Sequence, residues 1–193
     1  MTLQQRLARI KLLVCDFDGV FTDNNVYTFA DGSEAIRTSR ADGIGIERLK
    51  MLGVRVLVVT GELEGIVDVR CKKLGLQVIH ADMVTKRQWL DRLLDSFWAA
   101  QDTPLRMDNI AYIGNDVNDL ECLRAVGVPL VVADAETALV KVGALRTPNE
   151  AYADHWDGSL YWLGHAYQLT RNGGDGAVRE ACDLIADAIE AAK

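Results

Sequence analysis

The chain has no apolar run long enough to cross a bilayer, and no secretory leader stands ahead of its first motif. Neither a membrane partner nor export is therefore expected, and the cytoplasm is the expected compartment. It also lacks any block of lysine or arginine, and its formal net charge is −7. A polyanionic backbone would meet little to bind, so nucleic acid is not an expected partner. A single phosphate is not excluded, because a helix amino end, a metal and one lysine act locally. Histidine is scarce, at 3 residues, and none falls within the motifs described below. A zinc hydrolase or a serine-triad hydrolase is poorly supported on that count. Cys15, Cys71, Cys122 and Cys182 are scattered through apolar or helical patterns, which fits buried thiols better than a disulfide frame or a zinc cluster. There is no internal repeat and no low-complexity tract.

What is present is ordinary globular material: 193 residues, 49% hydrophobic and 25% charged, enough for one domain (1–193) with a sizeable core. Apolar runs alternate with helix-like patterns, as a parallel sheet requires. Strands are predicted at Leu12–Cys15, Val54–Val59, Val78–His80, Ile110–Ile113 and Leu130–Val132. Helices are predicted at Ile44–Met51, Glu64–Leu74, Lys86–Phe97, Asp119–Val126 and Glu136–Val142, with another over Ala177–Ala192 in a tail that begins near 171. Gly53, Gly75 and Gly127 end three of these helices. Val26–Phe29 reads as a hairpin arm, with turn residues Thr22–Asn25 before it and Asp31-Gly32 after it. The fold class is α/β: a Rossmann-like parallel sheet flanked by helices, with a small β-hairpin arm and no large cap domain. The segment 144–168 fits this plan least. It carries Tyr152, His155, Trp156, Tyr161, Trp162, His165 and Tyr167 with little period, and reads as a loop-rich excursion with a short helix around Leu160–Tyr167. Local packing, an oligomer contact and a lid over a ligand all remain open for it.

Polar residues punctuate four strand ends, where open α/β sheets bind ligands. Asp16 and Asp18 follow the first strand, Thr60 and Gly61 follow VLVV, Lys86 opens a helix, and Asn115, Asp116 and Asp119 follow IAYIG. A nucleophile, a proton donor and acceptor, oxygen ligands for a hard cation and fixed donors for phosphoryl oxygens are what phosphoryl transfer needs. Taken singly, each residue has a plainer reading. An Asp-x-Asp can be only a turn, Thr60 a helix cap, and Lys86 part of a solvated face.

The ordered series DFDGVFTD (16–23), SRADGIGI (39–46), VVTGE (58–62), Lys86, AYIGNDVNDL (111–120) and GGDGAVRE (173–180) resembles the haloacid dehalogenase-like superfamily. The match is to its sugar-acid phosphatase branch: the 3-deoxy-octulosonate and nonulosonate phosphate phosphatases and the related domain of acylneuraminate cytidylyltransferases. The resemblance implies an Mg²⁺-dependent phosphatase in which Asp16 attacks phosphorus and forms an aspartyl-phosphate. Asp18 would protonate the leaving alkoxide and later activate water. Thr60 and the Gly61 amide would hold phosphoryl oxygens, with Lys86 neutralising charge. Asp16, Asp18, Asn115 and Asp116 are the candidate metal ligands, supported by Asp119. Relatives commonly carry Asp-Asp where this chain has Asn115-Asp116, so weaker Mg²⁺ binding is expected from an uncharged amide.

Glu62, Arg70 and Lys73 resemble the nonulosonate 9-phosphate type, which makes that phosphorylated sugar acid the favoured substrate; the octulosonate 8-phosphate is the alternative. An acid, a guanidinium and an ammonium at one rim suit hydroxyls and a sugar carboxylate, although two basic residues on a solvated helix would look the same. The family also implies a homotetramer in which the hairpin arm helps form a barrel and a neighbour closes the pocket. By resemblance, Gly173 and Gly174 reach toward an adjacent active site, near Arg179; a plain turn before the last helix is the simpler reading. A weakly active or noncatalytic assembly domain, or a phosphotransferase, are the other functional classes in play.

Overall fold

The computed structural model describes residues 1–62, 65–81, 86–97, 105–136, 139 and 166–193. Eight strands and six helices appear among them: α1 (Leu3–Leu7), β1 (Leu12–Cys15), β2 (Thr22–Thr28), β3 (Glu34–Thr38), α2 (Ala41–Met51), β4 (Arg55–Thr60), α3 (Ile66–Leu74), β5 (Gln77–His80), α4 (Lys86–Phe97), β6 (Ile110–Gly114), α5 (Leu120–Ala125), β7 (Val128–Val131), β8 (Tyr167–Gln168) and α6 (Ala177–Ala191). Six strands form one sheet in the order β5-β4-β1-β6-β7-β8, and every pairing in it is parallel.

The near-continuous apolar runs follow from burial on both faces. Leu13 and Cys15 of β1, Val56 and Val58 of β4, and Ala111 and Ile113 of β6 face α1, α2, α3 and α6. Their neighbours Leu12, Val14, Leu57, Val59, Ile110 and Tyr112 face α4 and α5. Period-two alternation thus feeds two separate cores from one run of residues. The helix after β1 covers one face and the helix after β6 covers the other. The switch point therefore lies between β1 and β6, and their carboxyl ends open a crevice there.

Between β1 and α2 the chain makes one antiparallel hairpin, β2–β3. Here the sequence reading needs correction. Thr22–Asn25 is not a turn ahead of the arm but the start of β2, whose register shifts between Thr22 and Val26. Asn24 adopts a left-handed φ of 63° within that irregular stretch, and turn-forming residues in a bulged strand look like a turn in sequence. The true hairpin turn spans 29–33, where Phe29 N donates to Ser33 O and Asp31 Oδ1 accepts from Ser33 N. Tyr167 belongs to β8, paired with Leu130, and not to a short helix. Residues 144–165 and most of the predicted 136–142 helix lie outside the described residues. Among the described residues, no helix is long and apolar enough to cross a membrane.

Candidate active site

Asp16 sits one residue past β1, where its amide donates to Ile113 O of the neighbouring strand β6. The residue is 5% exposed. One oxygen accepts from the Phe17 amide at 2.7 Å, and the other lies 2.8 Å from Lys86 Nζ. Lys86 opens α4 and is 2% exposed, so it is no part of a solvated face. Its ammonium also bonds Asp119 Oδ1 at 3.0 Å.

Asp119 is fully buried and, among the described residues, collects four donors. Lys86 Nζ and the Tyr112 hydroxyl (2.7 Å) reach Oδ1; the Asn115 amide (3.0 Å) and the more distant Asp116 amide (3.4 Å) reach Oδ2. The loop can close over this carboxylate only because residue 114 is glycine: a Cβ there would lie 2.5 Å from the Asp119 side chain. Two buried carboxylates thus share a single ammonium. Burial, and then the Asp119 charge, push the Asp16 carboxyl well above its usual range, with Lys86 pulling the other way. Burial alone would lower the Lys86 ammonium, but the charges of Asp16 and Asp119 outweigh it and raise it.

Asp18 is half-buried at the mouth of the crevice. Burial raises its pKa, the Glu62 charge raises it further, and a hydrogen bond from Thr22 and the Lys86 charge oppose the rise. The Thr22 hydroxyl also accepts the Gly19 and Asn24 amides at 3.0 and 3.2 Å, fixing the turn that carries Asp18. Thr60, at the end of β4, is buried, and its hydroxyl accepts the Glu62 amide at 3.1 Å. It does not cap α3, whose N-cap is Gly65. A hydroxyl that accepts one bond still has a proton to donate.

A cleft of about 660 Å³ runs outward from Asp18, with Glu62, Glu34, Val26, Ile36 and Ile66 on its walls. Gly61 and Glu62 are exposed at this rim. Arg70 donates instead to Ser39 O at 2.8 Å, tying α3 to the segment before α2. Lys73 is exposed in the last turn of α3, about 10 Å of helix beyond Ile66, so the structure does not bring it to Glu62. Gly173 and Gly174 pack on the Gly19–Asp23 loop of their own chain.

Asn115 is buried with its side-chain amide against Gly19, and Asp116 turns one carboxylate oxygen to its neighbour, the Val117 amide. Among the described residues, no three His, Cys, Asp or Glu side chains converge as metal ligands. By the resemblance, the Asp16 carboxylate, the Asp18 backbone carbonyl and the side chain of Asn115 or Asp116 would be the oxygen donors for a hard cation that keeps several waters. The excess buried negative charge around Lys86 fits such an ion. Tyr112 and Thr22 were missed by motif reading. A phenol inside a strand buried on both faces was the available signal for Tyr112, since a buried hydroxyl needs a partner.

No family model matches the chain. Individual relatives do. A 3-deoxy-D-manno-octulosonate 8-phosphate phosphatase of Yersinia pestis is 32% identical over 182 residues, 94% of this chain and 82% of that protein. The chain belongs to the sugar-acid phosphatase branch of the haloacid dehalogenase-like superfamily. It is a phosphoric monoester hydrolase by that membership. Solved structures of this branch superpose over nearly the whole chain. The Moraxella catarrhalis octulosonate phosphatase, in complex with magnesium, phosphate and the KDO molecule, gives a TM-score of 0.76 at 27% identity, covering 97% of this chain and 94% of that one. The cobalt-bound enzyme of Haemophilus influenzae gives 0.73 at 26%, covering 96% and 92%.

Proposed function

We propose that the chain hydrolyses the phosphate monoester of a 2-keto-3-deoxy sugar acid through a phosphorylated Asp16, with a divalent cation, Mg²⁺, in the crevice. The observation that carries the proposal is the buried Lys86 ammonium bridging Asp16 and Asp119 at the β1/β6 switch point. Asp16, held by Lys86 and the Phe17 amide, attacks phosphorus as the bond to the sugar oxygen breaks. Asp18, whose pKa is raised by burial and by Glu62, gives its proton to the departing alkoxide. Asp18 then takes a proton from the water that attacks phosphorus and frees Asp16. Thr60 and Lys86 steady the phosphoryl oxygens throughout, so positioning and electrostatics do most of the work. A cation held by Asp16, the Asp18 carbonyl and Asn115 would offset the phosphoryl charge; with Asn115 neutral, its hold is expected to be weaker than that of a second carboxylate.

The relatives' named substrate makes 3-deoxy-D-manno-octulosonate 8-phosphate the first candidate. The nonulosonate 9-phosphate has an observation of its own: Glu62 and Glu34 on the cleft wall are acceptors suited to the hydroxyls of a longer sugar. The exposed Val26, Tyr27 and Phe29 of the hairpin support assembly with further copies of the chain, as the tetramer reading requires. Phosphate release with Mg²⁺ from both sugar phosphates, at equal enzyme concentration, tests the proposal. Release from either, with a clear preference, is the expected result; a folded protein that releases phosphate from neither would leave an assembly role.

A further inference from the structure

Outside the crevice, among the described residues, one more carboxylate is completely buried. Asp42, in the first turn of α2, is 0% exposed. Its Oδ1 accepts the backbone amide of Arg179 at 3.0 Å. Its Oδ2 is buried with no hydrogen-bond partner among the described residues. Burial pushes this carboxyl up to about 6, against the Arg179 amide and the charges of Arg70 and Arg171. A buried carboxylate with one oxygen unanswered is a standing cost, and such a residue needs a compensating task.

Its position indicates that task. Arg179 is the third residue of α6, where a free amide looks for a cap, and the N-cap residue, Gly176, has no side chain to supply one. Asp42 supplies the cap from another helix. From the far side of the same segment, Glu180 gathers the Thr170 and Arg171 amides at 2.9 Å each. The start of α6 is thereby held at a fixed place over the sheet.

The residues just before α6 carry that constraint into the crevice. The Gly174 amide donates to Val20 O at 3.2 Å, and the Gly173 amide donates to Asp134 Oδ1 at 2.9 Å. Gly173 lies so near the Gly19 and Thr22 carbonyls that a Cβ would collide with both, and a Cβ at Gly174 would lie 2.6 Å from the Asp23 amide. Backbone therefore rests on backbone along the loop that presents Asp18 and the Thr22 hydroxyl bonded to it.

We propose that Asp42 is a positioning residue for Asp18: by capping α6 it sets the Gly173–Gly174 segment against the Gly19–Asp23 loop and so fixes the proton donor over the leaving group. The inference rests on the acid–base role given to Asp18 above. It predicts a signature that loss of folded protein cannot imitate. kcat/KM reports only the steps through departure of the leaving group, and a proton donor matters for a sugar alkoxide and hardly at all for 4-nitrophenolate.

The test measures kcat/KM with Mg²⁺ on the sugar-acid phosphate and on 4-nitrophenyl phosphate for wild type, Asp42→Ala and Asp42→Asn. Asp42→Ala should lose about tenfold more on the sugar phosphate than on the aryl phosphate, a fraction of the full contribution of a general acid. Asp42→Asn keeps an acceptor for the Arg179 amide and should restore the ratio to within about twofold of wild type. Equal losses on both substrates, or no loss on either, would overturn the proposal. Should Asp42→Ala fail to fold, Gly174→Ala presses on the same loop and must give the same leaving-group signature. Amide hydrogen exchange of Gly19 and Gly174, expected to quicken in Asp42→Ala, separates the two claims. If wild type hydrolyses neither phosphate, the Asp18 role falls, and unchanged exchange would sink the coupling on its own.

Discussion

Around Lys86 the chain buries two carboxylates and gives Asp119 four hydrogen-bond donors, whereas at the hairpin and the start of α3 it leaves Val26, Tyr27, Glu34, Glu62 and Ile66 exposed. The two regions meet at Asp18. On the crevice side, geometry is over-determined: strand pairing sets Asp16, glycine at 114 lets Asp119 close in, and each partner holds the next. On the cleft side, side chains stand on a two-stranded ribbon and at the start of a helix with few contacts to fix them. Chemistry that is common to phosphate monoesters needs the first kind of site, while selection among sugars can reside in the second.

Substitutions on the two sides should behave differently, and the largest effect is expected at Lys86. Lys86→Ala leaves Asp16 and Asp119 facing each other without a counter-charge. Denaturant unfolding should show a loss of about 3–5 kcal/mol, the penalty for a broken buried pair, together with loss of phosphate release. A loss under 1 kcal/mol would mean that the crevice is far wetter than its burial indicates. Tyr112→Phe removes one donor from a buried charged acceptor and should cost about 1.5–3 kcal/mol, while Asp119 retains its other three.

The cleft side should respond in activity and assembly more than in stability. Glu62 disfavours the ionised form of Asp18, so Glu62→Gln lowers the Asp18 pKa. The protonated acid is then lost at a lower pH, and the alkaline limb of the kcat/KM profile should move to lower pH with melting temperature unchanged. A limb that moves up, or stays in place, would separate Glu62 from Asp18. The smallest effect on the single chain belongs to the ribbon. Tyr27→Ser with Phe29→Ser should reduce the mass seen by light scattering while the circular dichroism spectrum is preserved; an unaltered assembly would place the interface elsewhere.

The same division separates what the sequence made legible from what it did not. Leu12–Cys15 and Ile110–Gly114 were readable because burial on two faces leaves an unbroken apolar run, and Asp16, Asp18, Lys86 and Asp119 stood in ordered motifs at the ends of such runs. The start of β2 was misread because Asn24 and its neighbours have turn chemistry inside a shifted strand. Tyr167–Gln168 is two residues long, too short for any period to register. The bond from Tyr112 to Asp119 and the cap from Asp42 to α6 were invisible for another reason: seven and 137 residues separate the partners, and only the folded chain brings them together. Arg70, which the family resemblance offers for the rim, has its guanidinium engaged with Ser39 O, a contact that no motif announces.

The central claim is that Asp16 becomes phosphorylated while Lys86 and Asp119 hold it in place. Asp18→Asn, mixed rapidly with 4-nitrophenyl phosphate and Mg²⁺, tests this most directly, because the aryl group leaves without a proton donor and release of phosphate from the protein then stalls. The account predicts a burst of nitrophenolate of about one per active site, then slow turnover, and no burst in Asp16→Asn. An Asp16→Asn protein that keeps its Mg²⁺-dependent turnover to within a few fold, where a loss of roughly a thousandfold or more is expected, would contradict it.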